Sequence, residues 1–225
     1  MTINIKDYDH IEGWFFQSDV DSIHHVVSLL PESCKLLEVG SFQGKSAVIW
    51  AETFKLQNKE AKIHCIDSFS GNPCSPYLKA KLMEKGKTKE EAEDFILRHE
   101  VKWWGFDPDT ACSEDVHMQN FIANTERYGI TWTKTHVKPL EYIWDGDSYD
   151  CIFYDADHSY VACYDSLKLW RQHLNAGGIM CVHDYDAHCQ GTVDAVNQIF
   201  SDSTITTLHD GFPGFAIITD IPGEL

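Results

Sequence analysis

The sequence predicts an α/β fold with a mostly parallel β-sheet that helices cover on both faces. Short apolar runs typical of buried strands alternate with longer segments whose apolar residues recur at helical spacing. Strands that alternate with helices form parallel sheets, because each helix returns the chain to the edge where the next strand starts. Two closing strand-like runs, residues 203–208 and 215–219, are joined by a glycine-containing turn and predict an antiparallel C-terminal pair. The predicted sheet therefore has seven strands.

The elements are predicted in chain order from these patterns. A helix-like pattern through Ile23, Val26 and Leu30 ends at Pro31, a residue that interrupts helices. The five parallel strands are expected at residues 35–39, 62–66, 130–137, 150–154 and 179–182. The pair Gly177-Gly178 is interpreted as the turn before the fifth strand. The remaining helices are expected at residues 46–54, 88–99, 114–128, 140–144, 160–174 and 189–200.

The whole chain, residues 1–225, is expected to fold as a single domain. Its 225 residues, of which 43% are apolar, suffice for one sizeable core. Residues 1–30 are expected to form an N-terminal cap, in which the aromatic run Trp14-Phe15-Phe16 either plugs the core or folds over the ligand mouth. Residues 70–112 break the alternation of strands and helices and are rich in turns and charge, so they are interpreted as a lid-like insertion.

Charge and composition limit the partners and the location. The formal charge of −17 argues against extended contact with nucleic acid, since such contact depends on clustered Lys and Arg. No stretch approaches the roughly 20 apolar residues of a membrane span, and the N-terminus lacks the pattern of a signal peptide. The eight cysteines are scattered without C-x-x-C pairs, which favours free thiols over disulfides or structural zinc. We expect a cytoplasmic protein with a small-molecule substrate and with neither nucleic acid nor membrane as partner.

A glycine loop follows the first strand and marks the ligand site. Gly40 and Gly44 permit backbone conformations closed to other residues, and they let the backbone approach a ligand closely. The helix that starts near Ser46 directs free N–H groups to the same point, which suits a nucleotide-like ligand. Only three residues separate Gly40 from Gly44, one fewer than a phosphate-binding P-loop requires, and Glu38 stands where a dinucleotide site has glycine.

The pattern that remains is E-x-G-x-x-x-G after one strand and Asp67 at the end of the next. It resembles the S-adenosylmethionine (SAM) site of class I methyltransferases, which have a Rossmann-like fold. In that family the glycine loop wraps the methionine and ribose portions of SAM, and the acidic residue that ends the second strand accepts hydrogen bonds from both ribose hydroxyls. The resemblance therefore implies SAM as the cofactor. It assigns cofactor binding to Glu38, Gly40, Ser41, Gly44, Lys45, Ser46, Asp67 and Asp155.

A second group of motifs resembles one branch of those methyltransferases. Asp155 begins the run D-x-x-H-x-Y, Asp165 lies in the next predicted helix, and five residues separate Gly177-Gly178 from Asp184. The same features occur in small-molecule O-methyltransferases of the macrocin (macrolide sugar) type and their cephalosporin-biosynthesis relatives. In that branch Mg²⁺ at the ends of the fourth and fifth strands orients a substrate diol, and a histidine takes the proton. The resemblance implies Asp155 and Asp184 as metal ligands and His158 as the catalytic base.

His183 departs from the pattern of that branch, which commonly has a carboxylate beside the last Asp. Mg²⁺ prefers oxygen ligands, whereas imidazole suits transition metals better. The expected metal ligands are therefore Asp155, Asp184 and His183. The resemblance implies Mg²⁺, and His183 leaves Mn²⁺ or another transition metal open.

Other interpretations of these residues stay open. Strand-ending aspartates often cap the following turn, as is expected for Asp157. His158 could serve only as a hydrogen-bond partner within its loop. A separate metal cluster could also form from Asp186, His188 and Cys189.

The sequence thus predicts SAM-dependent transfer of a methyl group to a hydroxyl of a small polar acceptor, sugar-like or a polyol. Such a transfer needs alignment of the methyl carbon with the hydroxyl oxygen and deprotonation of a weakly acidic alcohol, which a metal and a histidine base can supply. A metal-independent N-methyltransferase or a non-catalytic SAM-binding protein is the alternative, and a P-loop-like nucleotide hydrolase is a further one. Relatives of this type tend to assemble, so a homo-oligomer is an open alternative to a monomer.

Overall fold

A computed structural model provides the structure of the chain. It describes residues 2–69, 82–95, 114–130 and 148–222, together with the backbone of 132–136. The predicted helix at 140–144 and most of the predicted insertion at 70–112 lie outside the described residues. None of the helices within the described ranges combines the length and the apolar composition needed to cross a membrane.

A seven-stranded sheet forms the centre of the fold. Its strands are β1 (Ser33–Val39), β2 (Glu60–Asp67), β3 (Trp132–His136), β4 (Tyr149–Tyr154), β5 (Leu174–His183), β6 (Thr204–Thr206) and β7 (Phe215–Thr219). The strand order is β3-β2-β1-β4-β5-β7-β6. Strands β1 to β5 are parallel to their neighbours in this group, and β7 pairs antiparallel with both β5 and β6. The predicted mostly parallel α/β sheet with an antiparallel C-terminal pair is confirmed.

Six α-helices of the described residues connect and cover the strands. They are α1 (Gln17–Leu29), α2 (Lys45–Leu56), α3 (Lys89–Phe95), α4 (Glu114–Arg127), α5 (Tyr160–Arg171) and α6 (Gln190–Ile199), and a short 3-10 helix at Ile5–Tyr8 precedes them. Buried residues of α1, α2 and α4 share a cluster with one face of the sheet, and those of α5 and α6 share a cluster with the other. The predicted covering of both faces is therefore confirmed.

The strand β1 lies near the centre of the sheet, which explains why Leu36, Leu37 and Val39 are all fully buried. It pairs with β2 on one side and with β4 on the other. Successive residues point to opposite faces, so Leu36 packs in the cluster that contains α1 and α2, while Leu37 packs in the cluster that contains α5. A strand whose two faces are both covered is expected to read as an apolar run.

One local prediction was wrong. Gly177-Gly178, predicted as a turn before the fifth strand, lie inside β5, which begins at Leu174. Gly177 has a φ of +75°, and the β4–β5 register shifts between Tyr149 and Cys151. The glycines therefore accommodate an irregularity near the start of a strand, where a bulge inserts extra residues. The local signal of a glycine pair is the same for a turn and for an irregular strand.

Gly40 follows β1 at the point where this strand runs closest to the end of β4. Its φ of +94° lies in the left-handed region, and a Cβ at this position would overlap the carbonyl oxygen of Asp155. Backbone hydrogen bonds hold the approach: Asp155 donates its N–H to Val39 at 2.8 Å, and Gly40 donates its N–H to Ile66 at 2.8 Å. Glycine is therefore required here by the neighbouring strand, in addition to any requirement from a ligand.

Gly40→Ala is expected to destabilise the fold more than Gly211→Ala does. Both glycines have a left-handed φ, +94° and +104°, so both substitutions carry a backbone strain of about 1–2 kcal/mol. No atom of the described residues lies within 4 Å of the place a Cβ would take at Gly211. At Gly40 the new methyl group must also push β1 and β4 apart, which costs about 1–3 kcal/mol more. Urea unfolding of the two variants measures the difference, and equal losses would contradict this account.

Candidate functional site

The predicted site residues meet at one edge of the sheet. Because β1, β2, β4 and β5 are parallel, their carboxyl ends lie together. Gly40, Asp67, Asp155 and Asp184 end these strands or directly follow them. This edge therefore places the glycine loop beside the acidic and histidine residues that follow β4 and end β5.

The glycine loop, residues 40–44, makes a tight turn between β1 and α2. Gly44 donates its N–H to the carbonyl oxygen of Ser41 at 2.8 Å. Phe42 and Gly44 both have a left-handed φ, +44° and +85°. Gly44 is also the N-cap of α2 and has no side chain to bond the helix terminus. The first N–H groups of α2 thus face the loop without a side-chain cap, as a polar or anionic ligand group requires.

Asp67 fastens the glycine loop to the end of β2. One carboxylate oxygen accepts the N–H of Phe42 at 2.7 Å, and the other accepts the N–H of Phe69. Burial raises the pKa of Asp67, and these backbone donors act in the opposite direction. The backbone N–H of Ser41 also acts on this carboxylate, and since an ionised carboxylate has about four acceptor positions, at least one remains for a ribose hydroxyl. Asp67 therefore has a structural task that is compatible with the predicted one.

Lys45 and the two serines of the loop region point inward. Lys45 is buried, and its Nζ donates to the carbonyl oxygen of Gly13 at 3.2 Å. Burial lowers the pKa of Lys45. Ser41 and Ser46 are buried beside the carboxylate of Glu38. These side chains hold the loop together, and their contact with a cofactor stays a prediction.

The N-terminal aromatic run contributes to both the loop and the core. Trp14 stacks on Phe42 of the glycine loop, with ring centroids 6.0 Å apart. Phe15 is buried and stacks on His183, with centroids 5.3 Å apart and planes at 13°. The two interpretations of this run therefore apply to different residues: Phe15 plugs the core, and Trp14 covers the loop.

Asp155, His183 and Asp184 form a compact group where β4 and β5 end. His183 Nδ1 lies 3.5 Å from Oδ1 of Asp155 and 3.3 Å from Oδ2 of Asp184. One potential ligand atom of each residue lies within 4.8 Å of the others, a separation that a single ion can span. Asp184 has a φ of +55°, and such strained non-glycine residues cluster at functional sites. The structure thus brings together the three residues that were predicted as metal ligands.

His158 faces the same group from the loop between β4 and α5. Its Nε2 lies 3.0 Å from Oδ2 of Asp184 and 3.6 Å from Oδ1 of Asp155. Cys189, at the N-cap of α6, forms a second group with His158 and Asp184, again with ligand atoms within 4.8 Å. Asp184 is therefore common to both groups.

The protonation of these side chains is mutually dependent. Burial alone would lower the pKa of both histidines, but the carboxylates around them outweigh burial. The pKa of His158 rises to about 10, and that of His183 rises well above its ordinary value. Burial would in turn raise the pKa of Asp155 and Asp184, yet the two histidines hold both below the ordinary value. The carboxylates thus favour the protonated form of both histidines, and the histidines favour the ionised form of both aspartates.

Two neighbouring aspartates accept hydrogen bonds from backbone N–H groups. Asp157 accepts the N–H of Ser159 at 2.7 Å, the turn-capping task predicted for it. Asp186 accepts the N–H of His188 at 2.8 Å and that of Gly214 at 2.9 Å, and so ties two loops together. Since Cys189 belongs to the other group, the separate metal cluster considered at residues 186–189 does not form within the described part of the chain.

Asp19, a residue of α1, also lies beside His183, and the sequence did not predict this contact. Its side chain is fully buried, and its Oδ1 lies 3.4 Å from His183 Nε2. Its Oδ2 accepts the N–H of Phe16 at 2.7 Å, as in a capping box. In the sequence, an acidic residue in the first turn of a helix is already explained by such a cap. No local sequence pattern predicts the contact with His183, because it depends on where α1 packs on the sheet.

Glu38 is a buried acid at the base of the glycine loop. Its side chain is 0% exposed, and its Oε2 accepts a weak hydrogen bond from the thiol of Cys65 at 3.5 Å. Burial raises the pKa of Glu38 to about 7, although the hydroxyls of Ser46 and Ser41 act to lower it. Burial therefore favours the neutral form of this carboxyl group.

Glu38→Gln is expected to remove part of the pH dependence of stability. The folded pKa of about 7 lies above the ordinary glutamate value of 4.5, so the ionisation of buried Glu38 costs stability progressively as pH rises between these values. The full cost is at most about 3 kcal/mol. Urea unfolding in EDTA at about pH 5 and about pH 8 measures it as the difference between wild type and variant. The exposed Glu60→Gln is the control, and parallel pH profiles for all three proteins would contradict the raised pKa.

Several solved structures, two of them named as O-methyltransferases, have the same fold. The O-methyltransferase NovP superposes with a TM-score of 0.61 at 17% identity, over 92% of this chain and 81% of NovP. A SAM-dependent O-methyltransferase from Thermotoga maritima gives 0.60 at 9% identity, over 98% and 71% of the two chains. Cofactor-bound Rv0187 from MTB gives 0.54 at 14% identity, over 96% and 85%. Comparison with curated protein sequences found no match.

The family described as "Methyltransferase domain" matches residues 37–185, well over half of the chain. The match begins within β1 and ends just past Asp184. It therefore includes the glycine loop, Asp67 and the group formed by Asp155, His158 and His183. The chain belongs to this methyltransferase-domain family and is a class I, SAM-dependent member of it.

Proposed function

We propose that this methyltransferase transfers the methyl group of SAM to a hydroxyl of a small polar acceptor, with a divalent cation held by Asp155, His183 and Asp184. The observation that carries the proposal is the convergence of two carboxylates and two imidazoles beside the glycine loop. Gly40 touches the backbone of Asp155, so the cofactor loop and the proposed cation site share an edge. A methyl donor and a bound hydroxyl would then meet at that edge.

The residues present fit a divalent cation. Ligands on neighbouring corners of an octahedron with bonds of about 2.1 Å lie about 3 Å apart. Among the proposed ligands, His183 Nδ1 lies 3.5 Å from Oδ1 of Asp155 and 3.3 Å from Oδ2 of Asp184. Nδ1 of His183 is buried and lacks a hydrogen-bond partner among the described residues, although carboxylate oxygens of Asp155 and Asp184 lie close by. Atoms that are near each other but not aligned for hydrogen bonds are typical of ligands arranged around an ion.

The identity of the cation follows from the donor atoms. Two carboxylates suit Mg²⁺, which the resemblance to the macrocin-type branch implies. The imidazole of His183 adds a nitrogen donor, which Mn²⁺ and other transition metals accept more readily. We therefore expect activity with Mg²⁺ and a preference for Mn²⁺ over it.

The bound groups and the side chains would contribute different parts of the reaction. SAM supplies an electrophilic methyl carbon, and a bound divalent cation lowers the pKa of a coordinated hydroxyl. His158 faces the carboxylates of the same group, so it is placed to take the hydroxyl proton. The carboxylates that would hold the cation are also the ones that keep His158 protonated, so a neutral, proton-accepting imidazole requires their charge to be shared with the cation.

The proposed cofactor site consists of the glycine loop and the two acidic residues beside it, Glu38 and Asp67. Gly40, Ser41, Gly44 and Ser46 would line the methionine and ribose portions, with the free N–H groups of α2 behind them. Asp67 would accept hydrogen bonds from the ribose with the acceptor capacity that the backbone N–H groups of Ser41, Phe42 and Phe69 leave unused. Lys45 and Glu38 would contribute indirectly, by stabilising the conformation of the glycine loop.

Exposed aromatic side chains support a ring-shaped polar acceptor such as a sugar. Phe16 and Phe212 are 42% and 55% exposed and meet edge to face at 5.8 Å. The ring of His188 contacts Phe212 at 5.3 Å. These residues adjoin Phe15 and Cys189, which contact or belong to the proposed cation groups. The apolar face of a sugar ring packs well on such a surface while its hydroxyls reach polar ligands.

The alternative functions differ in how well they agree with the family match. Membership of the methyltransferase family disfavours the nucleotide hydrolase. A metal-independent N-methyltransferase, or a SAM-binding protein without catalysis, remains the alternative that the experiments below separate. A cytoplasmic location, a lack of nucleic-acid and membrane partners, and a choice between monomer and homo-oligomer stay predictions from the sequence.

Methyl transfer is expected to stop in excess EDTA and to return on addition of Mn²⁺ or Mg²⁺. The assay follows transfer from labelled SAM to a panel of sugars and polyols. Asp184→Asn should abolish transfer because it removes a charged ligand, while calorimetric binding of S-adenosylhomocysteine stays close to that of wild type. Asp194→Asn, at an exposed position of α6, is the matched control. Full activity in EDTA would favour the metal-independent alternative.

His158→Ala is expected to lower kcat by about 10²–10⁴-fold, the usual contribution of a general base. SAM affinity and Mn²⁺ affinity should change little, since His158 is proposed to move a proton and not to hold either group. The exposed His25→Ala is the control. A variant that keeps most of its kcat would assign His158 a hydrogen-bonding task, and a large loss of Mn²⁺ affinity would make it a ligand.

A further inference from the structure

The imidazole of His183 is buried among three aromatic rings. Its side chain is 3% exposed. Phe15 stacks on one face at 5.3 Å, and Phe153 and Phe215 approach edge-on, each with a centroid separation of 6.3 Å. The two ring nitrogens therefore have fixed and different surroundings. Nδ1 faces Asp155 and Asp184, whereas Nε2 faces Asp19.

Asp19 is more deeply buried than a helix cap requires. Its exposed fraction is 0%, although one oxygen alone bonds the N–H of Phe16. The other oxygen, Oδ1, is buried without a hydrogen-bond partner among the described residues, and so is Nε2 of His183. These two atoms lie 3.4 Å apart, a few tenths of an ångström beyond an ordinary N–H···O bond of about 2.7–3.2 Å. Leaving a carboxylate oxygen buried without a partner is costly, so the facing nitrogen is its natural donor.

We propose that Asp19 is a positioning residue that keeps the proton of His183 on Nε2 and thereby presents Nδ1 to the cation. The inference rests on the proposed cation site. Histidines that bind metals commonly donate their second N–H to a carboxylate, which fixes the tautomer and makes the ligand more basic. Here the carboxylate comes from the N-terminal helix, so α1 becomes part of the support of the site.

Asp19→Asn separates this task from the helix cap. The amide keeps the size of the side chain and an oxygen that can accept the N–H of Phe16, but it loses the charge that favours an Nε2 proton. We expect Mn²⁺ affinity, measured by calorimetry, to fall by about 10–100-fold. S-adenosylhomocysteine affinity and unfolding in EDTA should stay close to those of wild type, which shows that the variant is folded.

Asp21→Asn is the matched control. Asp21 lies on the same helix, and its Oδ2 also faces an imidazole, His209 Nε2, at 3.8 Å. Both side chains of that pair are 44–45% exposed and lie outside the proposed cation groups. Removal of this carboxylate should leave Mn²⁺ affinity unchanged, so any loss specific to Asp19→Asn reports on His183 and not on the charge of α1.

A measurement on the wild-type protein avoids any folding defect of the variant. Long-range ¹H–¹⁵N NMR of the protein loaded with Zn²⁺, a diamagnetic probe, should show His183 bound through Nδ1 and protonated on Nε2. Coordination through Nε2 would overturn the proposal, and so would equal Mn²⁺ affinities in wild type and Asp19→Asn. If wild type itself binds no cation, the proposed function fails at its metal site and this inference fails with it, a result distinct from equal binding by both proteins.

Discussion

The close approach of β1 and β4 is the constraint on which the site depends. Gly40 has no side chain, and the carbonyl oxygen of Asp155 occupies the space a side chain would need. A backbone hydrogen bond from Asp155 to Val39 joins the ends of β4 and β1, and one from Gly40 to Ile66 joins the end of β1 to β2. The glycine loop that starts at Gly40 and the acidic group that starts at Asp155 are therefore neighbours through the backbone itself. Any larger residue at position 40 would separate the cofactor loop from the acidic group, whatever its effect on the ligand.

The acidic group is stable only because it contains its own counter-charges. Carboxylates buried without a partner are costly, and here Asp155 and Asp184 lie against the imidazoles of His183 and His158. The histidine pKa values rise as a result, so protons can balance the carboxylates when no cation does. In the proposed function a divalent cation takes over that balance, and the same imidazoles then serve as a ligand and as a base. One arrangement of side chains thus accounts for both the stability of the site and its proposed chemistry.

The segment from Gly13 to Asp19 links the two halves of the site. At one end, the carbonyl oxygen of Gly13 accepts a hydrogen bond from Nζ of Lys45, and Trp14 stacks on Phe42 of the glycine loop. At the other, Phe15 stacks on His183 and Asp19 faces its Nε2. A segment that precedes the sheet in the chain therefore touches both the loop that would hold SAM and the group that would hold the cation. The N-terminal segment therefore packs against both parts of the proposed site.

The sequence by itself determined the fold and the edge at which the site lies, since strand and helix patterns are local and parallel strands must end together. It therefore placed Gly40, Asp67, Asp155 and Asp184 at one edge before any contact was known. Local patterns could not distinguish a turn from an irregular strand at Gly177-Gly178, which lie inside β5. Nor could they find Asp19, because a helix cap explains it in the sequence and only the packing of α1 on the sheet brings it to His183. The protonation of His158 and Glu38 was likewise decided by the tertiary structure, because burial and the charges of residues distant in the chain determine a pKa.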